Sequence, residues 1–316
     1  MKKMNTVFKG ASWTRKAGII ASLVLLCLFF TIMSDKFLTR GNITNILLQS
    51  CINGTIAIGM TLVIITGGIQ LSVGSIMALS SMVAAKMMAA GVPFYVAILV
   101  AVLIGLVCGA LDGLLISILK LQPFLVTMGT MSVYRGITLI ISDGLPVRGL
   151  DSVFLNGMNA LNGSVPVPVI MLVVLLIIFM FVLKYTRYGQ YLFAVGGNEE
   201  AARFSCVNTI SVKTRTYAIS GFCCAMAAII YMGRLAAADP QAGDGYEMNA
   251  IAAAAIGGAS LAGGKGSLLG TMIGACILGT LSNGLTLLNV PSFYQTLFVG
   301  LIILVATVID RFANRS

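Results

Sequence analysis

A globule of this length cannot be coated with the charge available to it. The chain has 20 basic and 10 acidic residues in 316 positions, against 58% hydrophobic residues and a mean hydropathy of +1.00. A water-facing surface takes about 25% charged residues, so most of this surface must face lipid. A soluble enzyme is excluded first. Histidine is absent, which removes His-based acid–base catalysis, His triads, haem ligation through His and most zinc sites. The cysteines, Cys27, Cys51, Cys108, Cys206, Cys223, Cys224 and Cys276, form no C-x-x-C pair and lie mostly in apolar runs. They read as small hydrophobes in a packed interior. Neither a metal nor a cofactor is expected.

A helix needs about 20 apolar residues to cross the hydrocarbon layer. Ten stretches approach this: roughly 17–33, 46–66, 71–90, 94–119, 121–141, 167–183, 216–233, 249–262, 267–287 and 293–309. The third and eighth are short or interrupted by glycine, and the second carries Gln49, Asn53 and Thr55. The expectation is an all-α membrane protein of about ten transmembrane helices, with residues 1–316 as one transmembrane domain. The first stretch ends in Met33-Ser34-Asp35 without a small-x-small site, so it reads as a retained span.

Orientation follows from the Lys/Arg bias. With the N-terminus inside, fourteen basic residues fall on the cytoplasmic side, from Lys2 to Arg315. Lys36, Arg40, Lys86, Arg148 and Arg234 fall outside, with six acids including Asp239, Asp244 and Glu247. An even number of spans then places both termini in the cytoplasm. The basic residues are scattered over many loops without interleaved aromatics, so the net charge of +10 reports topology and points to no nucleic acid.

Two glycine-rich stretches resemble each other. Residues 67–75 read Gly-Gly-Ile-Gln-Leu-Ser-Val-Gly-Ser, and 257–267 read Gly-Gly-Ala-Ser-Leu-Ala-Gly-Gly-Lys-Gly-Ser. Further on, Gly109-Ala-Leu-Asp112-Gly113 leads to Gln122-Pro123-Phe124, and Gly279-Thr-Leu-Ser-Asn283-Gly284 leads to Pro291-Ser292-Phe293. The expectation is an internal repeat of spans 2–5 as spans 7–10. Its offset of five spans makes the copies inverted, with a transport pathway at their interface. Overlapping G-x-x-x-G spacings, Gly105, Gly109 and Gly113, then Gly266, Gly270 and Gly274, let helix backbones approach closely in lipid.

Charge at bilayer depth is costly unless paired or wet. Asp112 and Arg135, on neighbouring spans, are the two candidates, either as an ion pair or helix-end contact, or as a lining of the substrate path. Asn53, Gln70, Asn249, Asn283 and Gln295 add uncharged donors and acceptors that either meet sugar hydroxyls or bond across helices. No cluster of acids suggests a proton or sodium relay. In the longest inside loop, 184–215, Asn198 caps a short helix with Glu199 and Glu200 in its first turn. The nearest approach to a phosphate loop, 258–266, has Ala259 where a glycine is required and Gly266 where Ser or Thr must hold magnesium. It reads as a tight turn, and any energy source is a separate protein.

The run Ala57-Ile58-Gly59-Met60-Thr61-Leu62-Val63-Ile64-Ile65-Thr66-Gly67-Gly68-Ile69, followed by Leu71-Ser72-Val73-Gly74-Ser75, resembles the signature of bacterial ribose-type ABC sugar importer permeases. So do Gly196-Gly197-Asn198-Glu199, Ala250-Ile251-Ala252-Ala253 and the 257–266 turn. The resemblance spans about 40–310 and implies a homodimeric inner-membrane permease served by a periplasmic sugar-binding protein and a cytoplasmic ABC ATPase. It implies that the 184–215 loop couples to the ATPase through Gly197, Asn198, Glu199, Glu200, Ala201 and Arg203. It also implies a pathway flanked by the Gly-Gly-Ile turn, with Gln70 and Ser72, and by the Gly-Gly-Ala-Ser turn. One position departs from the pattern: the family usually has Asp between Ile and Leu in the first motif, and this chain has Gln70. The same scaffold could carry a furanosyl signalling molecule, a nucleoside or a branched-chain amino acid. An ion-coupled secondary transporter is the alternative of a different class.

Overall fold

The computed structural model describes residues 2–162 and 165–313, so Arg315 lies outside the described residues. All ten apolar stretches are helical over most of their length. The helices are α1 (Lys2–Met33), α2 (Arg40–Ile65), α3 (Val73–Ala89), α4 (Phe94–Ile118), α5 (Pro123–Ser142), α6 (Ser152–Asn159) and α7 (Val167–Tyr185). After these come α8 (Arg187–Gly197), α9 (Glu199–Phe204), α10 (Thr209–Leu235), α11 (Tyr246–Ile256), α12 (Leu268–Leu287) and α13 (Ser292–Ala313). Among the described residues, six helices are long and apolar enough to cross a membrane: α2, α4, α5, α7, α10 and α12. Gly18–Met33, α3 and Phe293–Leu304 are shorter apolar helices. The eighth stretch yields the 11-residue α11, about 16 Å long and thus half the hydrocarbon thickness. The chain is an all-α membrane protein.

α2 is the central helix, with every residue from Ser50 to Ile65 buried. It packs against α7, α10, α11 and α12, and its apolar residues run round the whole circumference because no face meets water. α4 and α7 expose most of their surface, as lipid-facing helices do.

The glycine stripe of α4 lies against α10. A Cβ on Gly105 would overlap the Gly221 carbonyl, and one on Gly109 would overlap the Tyr217 carbonyl. The two backbones are therefore in direct contact, and dispersion between them replaces the hydrophobic drive that lipid cannot supply.

Two interruptions organise the rest. The chain leaves the helical state between α2 and α3, at 66–72, and between α10 and α11, at 236–245. The second break is anchored where Ala237–Ala238 pairs antiparallel with Val147–Arg148. The two breaks meet inside the bundle, because a Cβ on Gly74, in the first turn of α3, would overlap the carbonyl of Gly243.

The glycine-rich matches do not both belong to an inverted repeat. The Gly264 N–H donates to the Ile65 carbonyl at 2.9 Å, so the turns after α2 and α11 lie at the same end of the molecule. Asn53 of α2 and Asn249 of α11 also line one cavity. α2 and α11 thus run in the same direction, with an offset of six spans, whereas the Asp112 and Asn283 motifs lie on α4 and α12 with an offset of five. The first match is a similarity between two glycine turns that touch.

The backbone contact of α4 with α10 yields a test. Gly105→Ala is expected to destabilise the chain by about 1–3 kcal/mol through overpacking, read as a lowered thermal midpoint in detergent. Gly129→Ala on α5, where a Cβ meets nothing within 4 Å, is expected to leave the midpoint unchanged or slightly raised.

Candidate functional site

Non-helical backbone inside a membrane bundle needs partners for its free N–H and C=O groups. At the α2–α3 break the Ile69 carbonyl accepts from the Thr127 hydroxyl at 3.3 Å and the Tyr217 hydroxyl at 3.5 Å. Gln70 and Ser72 donate to Asp112 Oδ2 at 3.2 and 2.5 Å, and the Tyr134 hydroxyl donates to Oδ1 at 3.1 Å. Asp112, on α4, is fully buried. At the α10–α11 break Arg135 of α5 donates to the Pro240 and Ala242 carbonyls at 2.5 and 2.9 Å. The two intramembrane charges therefore do not form an ion pair. Each secures a different break. A guanidinium presents several donors in a fixed fork, which suits two nearby carbonyls, and the carboxylate is met by four neutral donors, Thr130 being the fourth.

Asp244, Glu247 and Asp239 lie close enough to act on Arg135 electrostatically. Charge counting along the sequence places Glu247 in an outside loop. It is buried instead, in the first turn of α11, because the chain descends into the bundle before that helix starts. No periodicity signals such a descent.

A cavity of about 520 Å³ lies between α2, α11, α12 and α13. Its polar lining includes Gln49, Asn53, Asn249, Ser282 and Gln295, and its apolar lining includes Leu278, Val299 and Ile303. Gln49 donates to the Ser282 hydroxyl at 2.9 Å, which donates to Gln295 Oε1 at 2.7 Å. Asn53 Oδ1 is buried with no hydrogen-bond partner, an arrangement that costs about 1–3 kcal/mol when nothing occupies the site. Asp244 is the charged side chain in the lining.

Three of the expected pathway residues, Asn53, Asn249 and Gln295, thus share one cavity. Gln70, Ser72, Asp112 and Arg135 serve the breaks. Asn283 faces elsewhere and donates to Asn42 at 2.9 Å. Ser282 and Tyr246 line the cavity without having stood out in the sequence, since neither a serine inside an apolar run nor a tyrosine in the polar segment before α11 carries a signal of which way it points.

At the other end of α2, the 184–215 loop folds into α8 and α9. α8 has no sequence signal beyond its mixed polarity. Asn198 caps α9, its side chain accepting from the Ala201 N–H at 2.9 Å. Lys213 pairs with Glu199 at 2.5 Å, and Val195, Ala202 and Val212 pack together beneath the helix. Burial pushes the Tyr188 phenol up to about 12, and its neutral hydroxyl bonds Thr216 at 2.8 Å. A Cβ on Gly196 would overlap the Ile65 carbonyl and crowd the Gly264 nitrogen. The loop, the end of α2 and the 257–267 turn consequently meet in backbone contact, with the Ile65 side chain packed on Gly266. Gly197, Asn198, Glu199, Glu200, Ala201 and Arg203 are left exposed, and Phe204 is 80% exposed. The 258–266 segment is the tight turn expected, closed by Ser260 N–H to Lys265 O and Gly263 N–H to Ser260 O, both at 3.0 Å.

Comparison with known proteins agrees with this architecture. The model of the family described as branched-chain amino acid transport system / permease component matches residues 42–307. The ribose import permease protein of Bacillus subtilis (strain 168) is 45% identical over 94% of this chain and 93% of its own length. That of Escherichia coli (strain K12) is 41% identical over 96% of each. The D-allose transport system permease protein of Escherichia coli (strain K12) is 39% identical over 96% of this chain and 93% of its own. No solved structure matches the chain. The chain belongs to this permease family, among its ribose-type ABC importer members.

Proposed function

We propose that the chain is the permease subunit of an ATP-binding-cassette importer that carries a monosaccharide, a ribose-like pentose or similar sugar, across the inner membrane. One observation carries this reading: the cavity beside α2 is lined by amides and hydroxyls that can both donate and accept. A sugar offers the same pairing at every hydroxyl, and Asn53 Oδ1 stands ready for a donor. The volume falls within the range of about 300–1,000 Å³ usual for small-molecule sites.

A branched-chain amino acid fits less well. Its zwitterion needs a cation and an anion, whereas the lining offers only Asp244 and Arg135 is engaged by two carbonyls.

The ten apolar helices make ten crossings, with both termini in the cytoplasm. Spans 2–5 and 7–10 form the inverted pair. The helix lengths support this: α2 to α5 have 26, 17, 25 and 20 residues, and α10 to α13 have 27, 11, 20 and 22. In each half a long helix ends in a break and a short helix follows. The chain performs no chemistry itself. A cytoplasmic ABC ATPase docks on the exposed residues Gly197, Asn198, Glu199, Glu200, Ala201 and Arg203 of the 184–215 loop, and a periplasmic sugar-binding protein delivers the sugar. A second copy of the chain completes the conduit as a homodimer.

Two experiments test this. In proteoliposomes holding the chain, the ATPase and the binding protein, ATP-driven ribose uptake is expected. Asn53→Leu or Asn249→Leu is expected to cut that uptake about ten-fold, the loss from one or two sugar hydrogen bonds. Uptake driven by an ion gradient through this chain alone would instead establish a secondary transporter. For the loop, Glu200→Lys changes only an exposed side chain and leaves the Glu199–Lys213 pair in place. It is expected to abolish copurification of the ATPase while the thermal midpoint of the permease stays unchanged, and normal copurification would refute the docking assignment.

A further inference from the structure

We propose that the α2–α3 break is built to hold a single buried carboxylate, and that positions 70 and 112 are exchangeable seats for it. Asp112 occupies one seat in this chain, and Gln70 stands in the other as its donor.

Three observations lead there. Gln70 and Asp112 touch, with Nε2 at 3.2 Å from Oδ2, and both are fully buried. Everything else that reaches the carboxylate is a neutral donor, the hydroxyls of Ser72, Tyr134 and Thr130, and among the described residues no cation pairs with it. Two carboxylates in van der Waals contact without a cation cannot both stay ionised. A carboxylate at 70 beside one at 112 would therefore force a proton onto the pair, whereas Gln70 donates to Asp112 directly. Gln70 Oε1 is itself buried without a partner, so the atom that position 70 satisfies is the one that faces Asp112.

The seat also has a mechanical position. The break begins at the end of α2, where the Ile65 carbonyl meets Gly264 and Gly196. It ends on a carboxylate that Tyr134 ties to α5 and that α4 carries. Asp112 and Gln70 are thus positioning residues, linking the segment that abuts the 184–215 loop to α4 and α5. This role rests on the import reading above, whereas the exchange of seats does not.

A four-member set tests the exchange: the unaltered chain, Asp112→Asn, Gln70→Asp, and the double variant carrying both. Each is measured twice, for thermal midpoint in detergent and for sugar imported per ATP hydrolysed in the complete reconstituted importer. Each single variant is expected to lower the midpoint and to cut the sugar-to-ATP ratio about ten-fold, leaving none or two carboxylates at the seat. The double variant is expected to restore the midpoint and to bring the ratio back to within about two-fold of the unaltered chain. A double variant as impaired as the worse single, or a harmless Asp112→Asn, would overturn the proposal. Should a single variant fail to fold, the double variant decides by itself: folding and coupling support the exchange, and failure to fold refutes it. Should the unaltered chain import no sugar, the import reading fails, while recovery of the midpoint still decides the exchange.

Discussion

The C-terminal end of α2 cannot move without moving two other segments. Its last carbonyl, at Ile65, accepts the Gly264 N–H and presses on Gly196, and the Ile65 side chain packs on Gly266, so the contact is made largely by backbone. Close-packed backbone has little compliance and transmits displacement rather than absorbing it. The central helix is buried along its last four turns, and its end joins the 184–215 loop to the α2–α3 break. The glycines at this joint are a condition of its stiffness, because any Cβ at Gly196 would hold the three segments apart.

Beyond this joint lie the two breaks in the helical bundle. Discontinuous helices are tolerated at membrane depth only where protein supplies the missing hydrogen bonds, and here the supply is divided. Asp112 gathers the side chains of one break, and Arg135 gathers the carbonyls of the other. The breaks touch at Gly74 and Gly243, so neither can rearrange independently. Beyond the second break, α11 contributes Tyr246 and Asn249 to the cavity.

Much of this is legible in the residues because lipid leaves few options. Ten apolar stretches become helices, the α9 cap at Asn198 forms as its sequence requires, and the glycine stripe of α4 packs against a neighbouring backbone. What escapes the sequence depends on direction in three dimensions. Asp112 and Arg135 sit on adjacent spans, which suggests a pair, yet α4 brings Asp112 to one break and α5 brings Arg135 to the other. Glu247 lies in a polar segment that looks like an outside loop and enters the bundle all the same. The similarity of the two glycine turns accompanies their meeting at one joint, so it misleads the reading of the repeat while marking a real contact. Asn53, Asn249 and Gln295 are recognisable as polar residues in apolar helices, but only their shared cavity separates them from Asn283, whose amide bonds Asn42.

The placement of charge separates the machinery from the path. A buried charge costs several kcal/mol in a bilayer, and the chain accepts that cost at Asp112 and Arg135, where irregular backbone would otherwise be unpaired. The cavity wall between the helices is made mainly from amides, hydroxyls and apolar side chains, with Asp244 as the charged side chain of its lining. A charged wall would hold a neutral polyol by strong hydrogen bonds and release it slowly, whereas exchangeable neutral pairs let each sugar hydroxyl trade one partner for the next. Conduction needs such weak, replaceable contacts, and gating needs strong, fixed ones. The structure keeps the intramembrane charges Asp112 and Arg135 at the breaks, on residues that do not line the cavity.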